Sequence, residues 1–359
     1  MALSLAPHEI VDLLVAVVPK GLPILLVGPP GVGKTAFAKA AADRLGWDLI
    51  VSHPALEDQT EPGGLPVPDL ARGQARKILF GQAYRAVTAT RPTIWLLDDG
   101  GQAPTSVQAG YMPWLSARRV DEHSLPDYVT IMMSSNRRTD RAGVSGLLEP
   151  VKSRFASIVP VSPLVGDTDT VDTRWVEDWA AWAMRHPQHF SGEDIGFLRQ
   201  CPQWFFKFEP TLDLINSANP RTWEAASRLL KLPLPDHTLR VLLEGAVGAA
   251  AAADRFTFRL LQKELPRVEA VLANPAKASV PDQLGILWTL VTSLGMAATA
   301  ENFGAVCTYF DRLVDKKKGD FGVFMLRDAI RRDSSLLDTP EGRKLQDNSR
   351  LMEMLGQRY

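Results

Sequence analysis

The chain has 359 residues, 45% of them hydrophobic and 23% charged, with a net charge of −1. That composition is ordinary for globular proteins and long enough for two to three domains. The near-zero charge excludes a global electrostatic attraction to nucleic acid or to an anionic membrane.

Residues 1–20 carry a helical pattern, with Ile10, Leu13, Leu14 and Val17 on one face, closed by Pro19 and Gly21. Pro23–Val27 is a short apolar run suited to a buried strand. It leads into Gly28-Pro29-Pro30-Gly31-Val32-Gly33-Lys34-Thr35, which has the form G-x-x-x-x-G-K-[ST] of a phosphate-binding loop. Glycines let such a backbone wrap a polyphosphate, so that successive N–H groups converge on its oxygens. Lys34 would reach the β- and γ-phosphates, and the Thr35 hydroxyl would hold Mg²⁺. Phe37, Ala38, Ala41 and Leu45 then recur as a helix face. Strand, glycine loop and helix form the context that separates this motif from a Gly/Pro turn with an incidental lysine.

Trp47–Ser52 is a second strand candidate. His53–Gly73, with Glu57, Asp58, Glu61 and the Gly63-Gly64 pair, is too long for an ordinary connection and is expected to be a functional or a disordered loop. Ile78–Thr88 is expected to be helical. Thr93–Leu97 is an apolar strand delivering Asp98 and Asp99 at its C-terminal end, as a metal-supporting acid and an adjacent base would be delivered beside the loop. The alternative is a strand that merely ends in a polar turn. Val129–Asn136 is a further strand, whose terminal Asn136 either touches the γ-phosphate and positions the attacking water or is a plain turn residue. Pro150–Phe155 precedes a fifth strand candidate, Ala156–Val161. Apolar strands alternating with helices predict a doubly wound parallel five-stranded sheet.

From Thr168 onward the strand signal disappears. Trp175, Trp179 and Trp182 mark one helix face. Ser191 with Asp194 forms a helix-start signature. Asn219-Pro220 opens another helix, placing Arg221 where the macrodipole disfavours a cation unless an anion is near. Pro281 is expected to begin a helix burying Leu284, Leu287, Leu290 and Val291. Phe303, Val306, Phe310 and Leu313 mark the next, and Val323, Phe324 and Ile330 another, with Lys316–Gly319 as the turn between those two. The Lys316–Lys318 run is expected to be solvated surface. Cys201 and Cys307 lie far apart in apolar surroundings and predict reduced core residues of a cytoplasmic protein. Neither a signal peptide nor a membrane span is expected.

The loop, the two-carboxylate strand and the terminal Asn together resemble the AAA+ superfamily. No Asn/Thr-Lys-x-Asp segment marks guanine, which favours ATP. Trp95–Pro104, Ser106–Ala109, Arg118–Val120, Ser135–Val144, Ser153–Phe155 and Asn219–Glu224 are similar to the MoxR-like branch, and Leu326–Asp333 to a tail found in some of its members. The resemblance implies an α/β nucleotide-binding core over 1–166, a helical lid over 167–275 and a C-terminal helical region over 276–359. It implies roles for Gly28–Thr35 on phosphate, Thr35 and Asp98 on Mg²⁺, Asp99 as the base position, Asn136 as first sensor, Arg221 as second sensor, and Arg154 as an arginine finger acting on a neighbouring subunit. A finger in trans implies a ring, here a homo-hexamer. The implied task is chaperone-like remodelling of a protein client, often one with a von Willebrand factor A domain, and the 53–73 loop falls where client-contacting elements lie. The branch usually carries Asp-Glu where this chain has Asp98-Asp99. Aspartate is about 1 Å shorter, a misplacement worth about a hundredfold in rate. Slow hydrolysis is therefore expected, or a nucleotide-gated binding module with little or none.

Overall fold

The computed structural model describes residues 4–69, 73–140, 146–166, 168–209 and 214–356. Residues 141–144 of the Ser135–Val144 segment lie outside them. The chain divides into two compact units, 1–167 with 210–212, and 168–209 with 213–359.

The first unit contains helices α1 (Pro7–Val17), α2 (Lys34–Leu45), α3 (Thr60–Gly63), α4 (Gly81–Val87), α5 (Thr105–Ala117) and α6 (Glu149–Lys152). Its strands are β1 (Ile24–Val27), β2 (Asp48–Ser52), β3 (Leu65–Asp69), β4 (Gln74–Ile78), β5 (Thr93–Leu97), β6 (Arg119–Val120), β7 (His123–Ser124), β8 (Val129–Ser135) and β9 (Ser157–Pro160). Five of these form one parallel sheet in the order β2-β5-β8-β1-β9. β5 and β8 are buried along their whole length, as expected of near-continuous apolar runs covered on both faces. The edge strands β2 and β9 carry the exposed positions. The register pairs Val27 with Ser135, Leu97 with Met133 and Ser52 with Leu97. The strands β1, β2, β5 and β8 therefore end side by side, and whatever follows each of them shares one rim.

Trp95 anchors the core on one face of this sheet. It meets Tyr111 and Trp114 of α5 edge-on, each at 5.8 Å between ring centres, and its indole N–H donates to Ser52 Oγ at 3.0 Å. The same helix holds the segment expected to be a functional or disordered loop. Trp114 Nε1 donates to Pro62 O at 2.6 Å, and Tyr111 Oη donates to Glu57. Gly110 passes so close to Pro62 that a Cβ would sit 2.7 Å from its ring.

Residues 70–72 lie outside the described residues, and Leu65–Asp69 of that segment, β3, pairs with β4 just beyond it as an antiparallel hairpin. Pro66 and Pro68 concealed it, because proline argues against a strand. Set two apart, their missing N–H groups fall on one side of β3, where a two-stranded hairpin tolerates them. Ile78 accordingly ends a strand, and the helix expected from Ile78 begins at Gly81. The small β6–β7 hairpin is likewise new. Arg118 serves it structurally, donating to Pro126 O and Val129 O at 2.7 Å each.

Among the described residues the second unit has no named strand; Lys207 and Ala218 form an isolated bridge. Its helices are α7 (Thr173–Ala183), α8 (Gly192–Gln200), α9 (Pro220–Leu230), α10 (Asp236–Val247), α11 (Ala249–Leu261), α12 (Val268–Ala273), α13 (Leu284–Ala297), α14 (Phe303–Asp315), α15 (Gly319–Arg332), α16 (Pro340–Gln346) and α17 (Ser349–Gly356). The caps are where the residues predict them. Ser191 and Asp194 form a capping box on α8, and Asn219 caps α9 by accepting from Thr222 N at 3.1 Å.

Single positions on several helix faces depart from expectation, and the face of α15 is rotated. Trp175 and Trp179 are buried, whereas Trp182 is partly exposed and meets Phe190 edge-on and His186 at a tilt. Leu284 is exposed because α13 starts with it, while Pro281 stays outside the helix with its carbonyl taken by Lys318 Nζ at 2.6 Å. That bond, with one to the exposed Asp282 at 2.8 Å, leaves Lys318 half-buried, while Lys316 and Lys317 are exposed as expected. On α14, Tyr309 is buried and Phe310 only half so, and on α15 the buried residues are Met325, Leu326 and Ala329 together with Arg327 and Asp328.

Those two charged residues belong to a buried network. Arg199 of α8 donates through Nε and Nη2 to Glu177 of α7, at 3.1 and 2.8 Å. It also donates to Asp328 of α15 at 2.6 and 2.9 Å, and to Thr292 of α13 at 2.9 Å. All five guanidinium N–H bonds are thereby used. Arg327 adds a bond to Glu177 at 2.6 Å and stacks on Phe324. Burial pulls Arg199 toward deprotonation, but Asp328 and Glu177 outweigh it and hold the guanidinium above its ordinary value. Among the described residues no helix is long and apolar enough to cross a membrane.

Candidate functional site

The rim at the C-terminal ends of β1, β5 and β8 gathers the residues expected to handle a nucleotide. After β1 the chain turns at Gly28, whose N–H donates to Ser135 O at 3.1 Å. A Cβ on Gly28 would lie 2.1 Å from Val161 O, so only glycine passes there. Gly31 and Gly33 have φ of 78° and 100°, left-handed values that L side chains rarely adopt. Gly33 is the N-cap of α2, and no side chain caps that helix. The first-turn N–H groups of a twelve-residue helix therefore face the loop, with the positive end of its dipole behind them. This donor set suits a polyphosphate.

Lys34 is 7% exposed. Its ammonium donates to Gly28 O at 2.9 Å, Pro29 O at 3.0 Å and Asn136 Oδ1 at 2.7 Å. The lysine and the Asn that ends β8, 102 residues apart in sequence, are thus in direct contact. Thr35 Oγ1 donates to Asp98 Oδ2 at 2.8 Å. Because the threonine proton is spent on the carboxylate, the lone pairs of its oxygen remain available for a cation. Hard oxygen donors are what Mg²⁺ takes, completed by phosphate oxygens and water. No cluster of three or more His, Cys, Asp or Glu that would hold a metal unaided exists among the described residues. A cation at Thr35 and Asp98 would depend on the nucleotide.

Asp99 follows with a left-handed backbone, φ 55°, stabilised by its N–H donating to Ser134 Oγ at 3.0 Å. Its Oδ1 lies 3.4 Å from Asn136 Nδ2, at the long end of hydrogen bonding. Asn136 therefore touches Lys34 through its oxygen and Asp99 through its nitrogen. Gly100 presses on Met133, where a Cβ would meet the sulfur at 2.6 Å. Ser134, fully buried, also donates to Asp98 Oδ1.

Of the expected residues, Gly28–Thr35, Asp98, Asp99 and Asn136 form one connected group. Arg154 is not part of it, and Arg221 belongs to the second unit. Arg154 follows α6 in the first unit and donates to Pro150 O, while its Nε is buried without a hydrogen-bond partner. Arg221 is exposed on the first turn of α9 in the second unit. The sequence reading missed Ser134. The signal was a hydroxyl two residues before the terminal Asn in a buried strand whose other hydroxyls are Thr130 and Ser135.

Residues 23–155 match the family model of the AAA domain (dynein-related subfamily). The matched segment spans the loop, both carboxylates and Asn136. The chain is also similar to midasin from Giardia intestinalis, 32% identical over 143 residues, covering 38% of this chain but only 3% of that protein. Among solved structures it is similar to the RuvB Holliday junction branch migration motor of Thermotoga maritima, with 14% identity, 86% of each chain covered and a TM-score of 0.40. It is also similar to NtrX from Brucella abortus in complex with ATP, with 16% identity, 98% of this chain and 67% of that chain covered, and a TM-score of 0.42.

The first unit has an α/β fold, a five-stranded parallel sheet carrying the phosphate loop, and a helical region follows it. The family match supports an AAA+ ATPase-type nucleotide-binding domain over that segment.

Proposed function

We propose that this chain is a MoxR-like AAA+ ATPase that binds ATP with Mg²⁺, hydrolyses it slowly, and uses the cycle to remodel or activate a protein partner. The observation that carries the reading is the pair of cross-strand bonds from α2, Lys34 to Asn136 and Thr35 to Asp98. They join the phosphate-binding and metal-supporting residues into one group.

In this reading Gly28–Thr35 hold the phosphates, and Lys34 turns its ammonium toward the γ-phosphate as Asn136 keeps it oriented. Thr35 and Asp98 support Mg²⁺, which neutralises charge on the phosphate oxygens when bound. Asp99 orients the attacking water, and Asn136 holds both Asp99 and the γ-phosphate in place. Arg221 senses the nucleotide from a helical lid over 167–275, and Arg154 acts as a finger on a neighbouring subunit's site in a homo-hexamer. Such a finger is worth about 10³–10⁵ in rate. The region 276–359 serves ring packing or partner docking. The partner is a protein, by resemblance one with a von Willebrand factor A domain, and the site of action is the cytoplasm.

A second reading, a nucleotide-gated binding module with little hydrolysis, is favoured by Asp99. Its short side chain sits on a left-handed backbone and contacts Asn136. Turnover at saturating ATP separates the two readings. Under the first, the wild type hydrolyses slowly and Asp99→Glu hydrolyses up to about a hundredfold faster. A wild type already as fast as Asp99→Glu would sink the argument from side-chain length. Mixing Arg154→Ala with Lys34→Ala subunits should restore part of the activity, because each hybrid interface can still pair an intact loop with an intact finger. No rescue would place the complete site within one chain.

A further inference from the structure

Ser134 is the residue of the rim that has no role in the reading above. It is fully buried near the end of β8, one position before the residue paired with Val27. Its single proton goes to Asp98 Oδ1, and its oxygen accepts the backbone N–H of Asp99 at 3.0 Å. One hydroxyl thus grips both members of the carboxylate pair, one through its side chain and the other through its backbone.

We propose that Ser134 is the positioning residue of the cation site. With Oδ1 of Asp98 engaged by Ser134, the carboxylate presents Oδ2 to Thr35, and the proton of Thr35 is drawn there. The lone pairs of the threonine oxygen are then left for the cation. The bond to the Asp99 N–H fixes the left-handed turn at φ 55° on which the Asp99 carboxylate is carried. Alanine at 134 would free Asp98 to rotate about its side-chain bonds and would leave the Asp99 N–H without this acceptor. Groups that orient the ligands of a metal characteristically change its affinity by about 10–100-fold when lost.

The inference rests on the proposed nucleotide site. Its test is calorimetric titration of the full chain with AMP-PNP, a non-hydrolysable ATP analogue, in EDTA and at a series of Mg²⁺ concentrations. Ser134→Ala should raise about tenfold the Mg²⁺ needed for half of the affinity gain, while affinity in EDTA stays at the wild-type value. Ser134→Thr keeps the hydroxyl and should stay within twofold of wild type.

Thr130→Val is the control for general damage to β8. It removes a buried hydroxyl that donates to Val18 O at 2.8 Å at the other end of the strand, and should leave the Mg²⁺ dependence unchanged. If Ser134→Ala does not fold, Ser134→Cys, close in size but a weaker donor, carries the same comparison. A wild-type Mg²⁺ dependence in Ser134→Ala overturns the proposal, as does an equal shift in Thr130→Val. Failure of the wild type to bind the analogue at any Mg²⁺ concentration would instead overturn the nucleotide reading itself.

Discussion

Each unit buries charged side chains, and the two use them differently. In the second unit, Arg199 and Arg327 meet Glu177 and Asp328, two cations against two anions, with every N–H of Arg199 bonded. The four residues come from α7, α8 and α15, and Thr292 adds α13, so the network fixes how those helices pack. In the first unit, the Lys34 ammonium donates to two carbonyls and an amide oxygen, all neutral groups. Those bonds orient the ammonium at the loop. A network that ties four helices together holds structure, whereas an ammonium oriented beside uncapped helix N–H groups suits the binding of an anion.

The largest expected effect tests the structural half of that contrast. Arg199→Ala strips Asp328 of its arginine partner, leaves Glu177 with Arg327 alone, and should cost about 3–5 kcal/mol, read from denaturant unfolding followed by tryptophan fluorescence. A loss below about 1 kcal/mol would show that water reaches the network and would break the comparison. Lys34→Ala tests the other half. It should weaken ATP binding by about 2–3 kcal/mol, on the order of 100-fold, while moving the unfolding midpoint little. Were stability to fall as far as affinity, Lys34 would be a structural lysine and the contrast would fail.

A smaller effect falls on the helix that carries Arg221. Asn219→Ala removes the cap of α9 and should cost about 1 kcal/mol in the same unfolding measurement. The smallest concerns the thiols. Burial, with Glu341 and Asp311 nearby, pushes Cys307 up to about 12, and burial with Asp254 raises Cys201. At pH 8 the thiolate fraction of Cys307 is on the order of 10⁻⁴, so alkylation of the native protein should be far slower than that of the unfolded chain. The sign for stability follows from the raised value. Above the ordinary thiol range the unfolded chain loses this proton while the folded one keeps it. The contribution of Cys307 is therefore complete below that range and is lost as pH rises toward about 12.

The residues themselves disclosed the loop, the five sheet strands, the two carboxylates, Asn136 and the caps at Ser191 and Asn219. Each is a local pattern whose chemistry allows few alternatives. The β3–β4 hairpin was hidden by Pro66 and Pro68, since a proline argues against a strand until the open side that accommodates it is known. The face of α15 was rotated because apolar periodicity takes no account of Arg327 and Asp328, which are buried in company with Arg199 and Glu177 far away in the chain. Trp182 and Leu284 looked like core residues on the same grounds, and the packing leaves both partly exposed.

What the sequence determined alone is the chemistry of the loop, because Gly28, Gly31, Gly33, Lys34 and Thr35 are constrained by their own backbone and by the group they would bind. Only the tertiary structure decided that Asn136 touches both Lys34 and Asp99, and that Ser134 grips both carboxylates. Those contacts depend on the parallel register that aligns the ends of β1, β5 and β8. Register is set by long-range packing of buried strands, and no short stretch of sequence contains it.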